Sequence, residues 1–121
     1  MMFTFLFSTT SWGEWTYVTK SVDGHKFYYE KDRVRKSGKY IYLWGLTDLL
    51  KPSPYGDSSY TVYTQLDCSI FRFKDLKSIY YKKSMGEGEI TAEGTPKDEW
   101  SYPKPGSVIE KFYNKVCEEN Q

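Results

Sequence analysis

One histidine and two cysteines are all that this 121-residue chain offers for imidazole or thiol chemistry. A nucleophile-and-base triad would have to be built on His25 alone. A zinc site of soft ligands would lack its fourth donor. Excess charge of one sign is missing too: 17 Lys and Arg stand against 16 Asp and Glu, leaving +1 with the signs interspersed. No nucleic-acid partner is therefore expected, and Tyr80-Tyr81-Lys82-Lys83 reads as a solvated strand end rather than a base-stacking platform. No apolar run approaches the roughly 20 residues that span a bilayer, so no transmembrane segment is expected. The glycine pair in Met85-Gly86-Glu87-Gly88 has neither the lysine nor the downstream helix of a phosphate loop and reads as a turn. Paired carboxylates are the one hydrolytic arrangement that composition leaves open. No catalytic residue, metal ligand or cofactor is expected.

What the chain has in quantity is aromatic side chain, at 19% with twelve Tyr. Tyr suits a pleated, half-buried strand surface, and it also suits recognition surfaces, where it gives contact area and a polar tip at small entropic cost. Cys68 closes the most strand-like run, Thr61 to Cys68, and Cys117 lies near the end of the only convincing helix, so the two read as one strand-to-helix disulfide. Such bonds persist in oxidising compartments, which makes this an exported protein. The apolar Met2 to Phe7 stretch, followed by small polar residues and by Ser11 and Gly13, reads as the back half of a secretory signal peptide. Residues 1–13 are accordingly expected to be a signal remnant without its basic front, and residues 14–121 a single domain.

Along that domain, alternation at Trp15 to Val18 and the turn signal Asp23-Gly24 predict a hairpin whose second strand, from Lys26, extends towards Arg35. Tyr40 to Leu46 is apolar on both faces and predicts a central strand. Lys51 to Asp57 is a Pro- and Gly-rich loop. The next strand places Tyr60, Val62, Thr64, Leu66 and Cys68 on one side, with a bulge or bend just after the cysteine. Leu76 to Lys82 and Glu89 to Ala92 predict the last strands. Ser107 with Glu110 forms a capping box ahead of a helix whose apolar stripe is Ile109, Phe112, Tyr113 and Val116. Glu118 and Glu119 oppose the helix dipole and predict fraying there. His25 is expected to be an exposed hairpin residue. The fold class is α+β: an antiparallel sheet of about six strands covered by one C-terminal helix.

The chain resembles the bacterial surface-adhesin protein E family over nearly all of the expected mature domain. The resemblance is carried by the order and spacing of Trp15, Phe27-Tyr28-Tyr29, Val34-Arg35, Leu43-Trp44, Asp48, Ser58-Ser59, Tyr63, Asp67-Cys68, Arg72, Met85-Gly86-Glu87-Gly88, Trp100, Pro105-Gly106-Ser107 and Cys117. It implies the same sheet-and-helix fold, a disulfide and homodimerisation. It also implies adhesion to host extracellular-matrix or plasma proteins, and no catalytic residue. Lipid-anchored adhesins need a cysteine at the mature N-terminus, and positions 1 to 67 contain none. A periplasmic or secreted protein is therefore expected rather than a lipidated one. Two functions compete. One is a non-enzymatic protein-binding module using Tyr55 and Tyr60 around the proline loop and Tyr63 on the sheet. The other is an accessory envelope protein acting through self-association. An aromatic-lined glycan site is a third reading and needs a concave pocket with two or more rings.

Overall fold

Residues 14–121 are described by a computed structural model; the expected signal remnant lies outside the described residues. The strands are β1 (Thr16–Lys20), β2 (Lys26–Tyr29), β3 (Arg35–Ser37), β4 (Tyr40–Asp48), β5 (Ser59–Asp67), β6 (Arg72–Tyr81) and β7 (Ile90–Gly94), and the helix is α1 (Val108–Asn120). They form one antiparallel sheet in the order β1-β2-β4-β5-β6-β7, with β3 on the remaining length of the β4 edge. Seven strands thus fill six positions. The stretch expected to run unbroken from Lys26 towards Arg35 is split by the 3-10 turn Lys31–Arg33. β2 pairs with Gly45 to Asp48 and β3 with Tyr40 to Tyr42, so β4 is central as its apolar faces predict.

Several boundaries differ from the sequence reading. The bend after Cys68 is a hairpin turn rather than a bulge, so β6 begins at Arg72 instead of Leu76 and takes in Phe73. The register shift falls within β6, where Leu76 is the extra residue opposite Tyr63 and Thr64. This bulge puts Phe73 and Asp75 on the helix side before it and Lys77 on the other side after it. The turn itself is built by Asp67, which is fully buried. Its Oδ1 accepts from Ser69 N (3.1 Å), Ser69 Oγ (2.7 Å) and Ile70 N (3.3 Å), and its Oδ2 accepts from Arg72 Nε at 3.2 Å.

Burial alone would raise the Asp67 pKa, but the Ser69, Ile70 and Arg72 donors outweigh it and hold the carboxyl below its usual range. A depressed folded pKa contributes stability that is present above the unfolded value of about 3.9 and is lost as pH falls through the folded one. Asp67→Asn should therefore be less stable at neutral pH and should lose less stability on acidification. Urea melts from neutral pH down into the acid range measure this, and parallel wild-type and variant profiles would refute the assignment.

Buried Tyr29, Ile41, Leu43 and Leu66 form the sheet side of the core, against Phe112, Tyr113, Val116 and Cys117 of α1. Gly45 leaves the space that the helix needs: a Cβ there would stand 3.6 Å from Cζ of Phe112. Ser107 caps the helix as expected, its Oγ accepting from Glu110 N at 3.1 Å. The reciprocal bond goes to Gly106 N (2.8 Å). At the end where the sequence predicts fraying, α1 runs on to Asn120 and is tied to the sheet. Tyr29 donates its hydroxyl to Glu119 Oε1 at 2.6 Å, and Asn120 Nδ2 donates both to Tyr29 Oη (3.0 Å) and to the Val116 carbonyl (2.8 Å). Burial first, and the Glu119 carboxylate second, push the Tyr29 pKa up to about 12. Cys68 and Cys117 are bonded, Cα atoms 5.9 Å apart across a sequence separation of 49.

Candidate functional site

The two faces of the sheet are unlike. On the face away from α1, one end is closed by the turn Ser84–Gly86. Ser59 Oγ donates to the Lys83 carbonyl (2.6 Å) and accepts from Gly86 N (2.8 Å), while Asp48 Oδ1 accepts from Met85 N (2.9 Å). Gly86, at φ +69°, then lies over Leu46 and Thr61. These bonds join Asp48, Ser59 and the Met85-Gly86 pair into a plug, not a phosphate loop.

Beyond the plug the face is paved with rings. Trp44 and Tyr63 are directly opposed across β4 and β5, their centroids 5.0 Å apart, and Tyr42 stacks on Tyr63 at 6.2 Å. From β3, the Arg35 guanidinium lies over the Tyr42 ring at 5.8 Å and donates to Tyr63 Oη at 3.2 Å. At the hairpin end, Tyr40 meets Trp100 at 5.6 Å, and Arg72 and Lys74 lie over the Trp100 ring at 4.1 and 4.8 Å. Trp100 is held there by paired bonds between Ser101 and Phe73, at 2.8 and 2.9 Å. Each cation over a ring face is favourable because the quadrupole attracts it. The surface is therefore both aromatic and cationic. A shallow groove of about 300 Å³ is lined by the Asp32 to Arg35 segment together with Trp44 and Tyr63.

The three tyrosines singled out from the sequence are not brought together. Tyr63 is at the centre of the ring array. Tyr55 is 91% exposed at the tip of the proline loop, which is self-bonded through Ser53 and Asp57 (Oγ to Oδ1, 2.6 Å). Tyr60 faces the helix side and packs against Tyr80 at 5.3 Å. Sequence reasoning missed Trp44, Tyr42 and Arg35 as site residues. The signal was available, because period-2 alternation along β4 places Tyr40, Tyr42 and Trp44 on the same side. His25 is half-buried, its Nδ1 accepting from Leu50 N at 3.1 Å, so it holds two loops together. Among the described residues no group of three or more His, Cys, Asp or Glu side chains could hold a metal ion. Among them, too, no helix is long and apolar enough to cross a membrane.

Comparison with known proteins places this geometry. The family described as surface-adhesin protein E matches residues 15–118. No curated protein sequence matches. Among solved structures, Haemophilus influenzae protein E is similar at 14% identity and TM-score 0.64, covering 93% of this chain and 89% of that one. Its crystal form II gives TM-score 0.66 at 14% identity, with 93% of both chains covered. Protein E from non-typeable Haemophilus influenzae gives 0.60 at 15% identity, with 92% and 80% covered. The sheet and its C-terminal helix thus form a known fold, and with the family match extending across nearly the whole described domain, this chain belongs to the surface-adhesin protein E family.

Proposed function

We propose that the aromatic face is a protein-docking surface, and that the chain is a non-enzymatic, exported binding module of the bacterial cell envelope. The observation that carries this is the Trp44, Tyr63 and Arg35 cluster beside a shallow groove of about 300 Å³. Trp, Tyr and Arg are the residue types that dominate binding energy at protein interfaces. Here the rings are already ordered by cross-strand contacts, so little side-chain entropy is lost when a partner covers them. Tyr42, Tyr40 and Trp100 extend the surface towards Arg72 and Lys74, whose charges are paired with Asp67 and Asp98. Tyr55 adds an exposed contact from the loop. Tyr60 lies on the opposite face, and one partner seated on the rings would not reach it.

Membership in an adhesin family makes host extracellular-matrix proteins the partners to try first. In solid-phase binding to a panel of purified matrix proteins, Trp44→Ala and Tyr63→Ala should each weaken binding by about 30-fold, the loss of a hot-spot residue worth roughly 2 kcal/mol. Tyr60→Ala should leave binding unchanged. Wild-type affinity in both ring variants would remove this face from contention. Self-association through the same rings is the competing reading; it predicts a sedimenting dimer that Trp44→Ala dissociates.

A further inference from the structure

We propose that the cavity between the N-terminal half of α1 and the sheet is a binding site for a small organic cation, a single aromatic ring carrying a primary ammonium group. This site is on the opposite face from the docking surface and is independent of it. Its volume is about 140 Å³, with Val62, Phe73 and Phe112 among its walls and no side chain at Gly45. An apolar cavity of about 150 Å³ is large enough to take up benzene.

One wall is not apolar. Asp75 lies in it beside Thr64, whose Oγ1 donates to Asp75 Oδ1 at 3.2 Å. Tyr113, fully committed to the core, donates in turn to Thr64 Oγ1 at 3.4 Å. Among the described residues no cation pairs with Asp75. The lysines on either side of it in sequence are engaged elsewhere: Lys74 pairs with Asp98 at 2.8 Å and Lys77 with Glu93 at 3.3 Å. Both belong to the other side of the sheet, because the bulge at Leu76 keeps Asp75 on the helix side while its neighbours turn away. Burial pushes the Asp75 carboxyl up, and the Thr64 bond only partly offsets it.

A carboxylate held beside an apolar cavity without a counter-charge is poorly solvated, and a ligand that brings an ammonium to it while its ring fills the cavity relieves both defects at once. A neutral ring of the same shape relieves only one. An anionic ring is repelled. The volume of about 140 Å³ matches a single ring, so size and charge point to the same ligand class.

Benzylamine, benzyl alcohol and benzoate are the probes, titrated into the oxidised protein at neutral pH and followed by backbone amide chemical shifts. Benzylamine should saturate, with shifts clustered at Gly45, Val62, Thr64 and Phe112, and should bind at least about tenfold more tightly than benzyl alcohol, the gain expected of a charge-assisted hydrogen bond. Benzoate should not saturate. Asp75→Asn should abolish the preference for the amine, and Gly45→Val, which fills the cavity from the strand, should abolish saturation by both probes. Equal affinity of the wild type for amine and alcohol, or shifts centred on Trp44 and Tyr63 instead, would overturn the proposal. The wild-type comparison decides this even where a variant fails to fold.

Discussion

Replacing Cys68 and Cys117 together by alanine lowers the unfolding free energy by about 4 kcal/mol, the chain-entropy value for a closed loop of this length. The two residues are separated by 49 positions and join the hairpin turn after β5 to the last turns of α1. At the sensitivity of a domain this size the melting temperature falls by roughly 15–30 °C. For a fold whose total stability is on the order of 5–15 kcal/mol, that is the difference between a folded and a partly unfolded population under ordinary conditions. Urea unfolding of the double variant against the oxidised wild type measures it. Unfolding of the wild type with and without reductant, under thiol alkylation, should give the same difference. A loss below about 1 kcal/mol would mean that the loop is already closed in the unfolded chain.

The reason to expect the full effect lies in how α1 is attached. The helix covers the sheet but shares no ladder bonds with it, so side chains and one covalent bond hold it in place. At its N-terminal half the cover is incomplete, leaving the cavity beside Asp75. At its C-terminal half it is tied three ways: by Cys117, by Tyr29 to Glu119, and by Asn120 to Tyr29. In an exported adhesin-family domain, an oxidising compartment preserves a covalent tie of this kind at the terminal helix.

Much of this architecture was legible in the residues. The central place of β4 followed from apolar side chains on both of its faces, and the capping box at Ser107 and Glu110 gave the helix start to the residue. The pairing of Cys68 with Cys117 followed from their being the only two cysteines, one closing a strand and the other near the end of the helix, although Cys68 proves to lie just beyond β5, in the turn. What was not legible was set by contacts distant in sequence. The helix C-terminus holds because Tyr29, ninety residues earlier, supplies a hydroxyl to Glu119, and no local dipole argument contains that partner. The β6 boundary was misplaced because Asp67 builds a turn with its own side chain, which frees Arg72 to start a strand at once. The site was the least legible part. Tyr63 was visible as an outward residue, but its neighbours Trp44, Tyr42 and Arg35 are assembled by strand register, and register is not written in any one strand.

Phe112→Ala is expected to cost about 3–5 kcal/mol, towards the upper end for its class. The ring is 5% exposed and meets Phe27 and Tyr29 at 6.3 Å and Tyr113 at 5.2 Å. Directly beneath it is Gly45, which has no side chain to relax into the hole, and beside it the existing cavity would merge with the new one. The cost of such truncations grows with the void that remains, so this site should recover little by collapse. Phe112→Leu keeps most of the volume and should cost about 1–2 kcal/mol. That milder variant, combined with loss of the disulfide, separates two accounts of how α1 is held. If the bond acts by restricting the unfolded chain, its effect adds to that of Phe112→Leu within about 0.5 kcal/mol, because the two changes act on different states. If it acts by positioning the helix over the ring in the native state, the two couple by 1 kcal/mol or more, on the order seen for contacts sharing one packed cluster. Additivity is the expected result, since the bond acts mainly by restricting the unfolded chain and Cys117 lies more than a full turn beyond Phe112. Denaturant melts of the four proteins at one pH supply every term of the cycle.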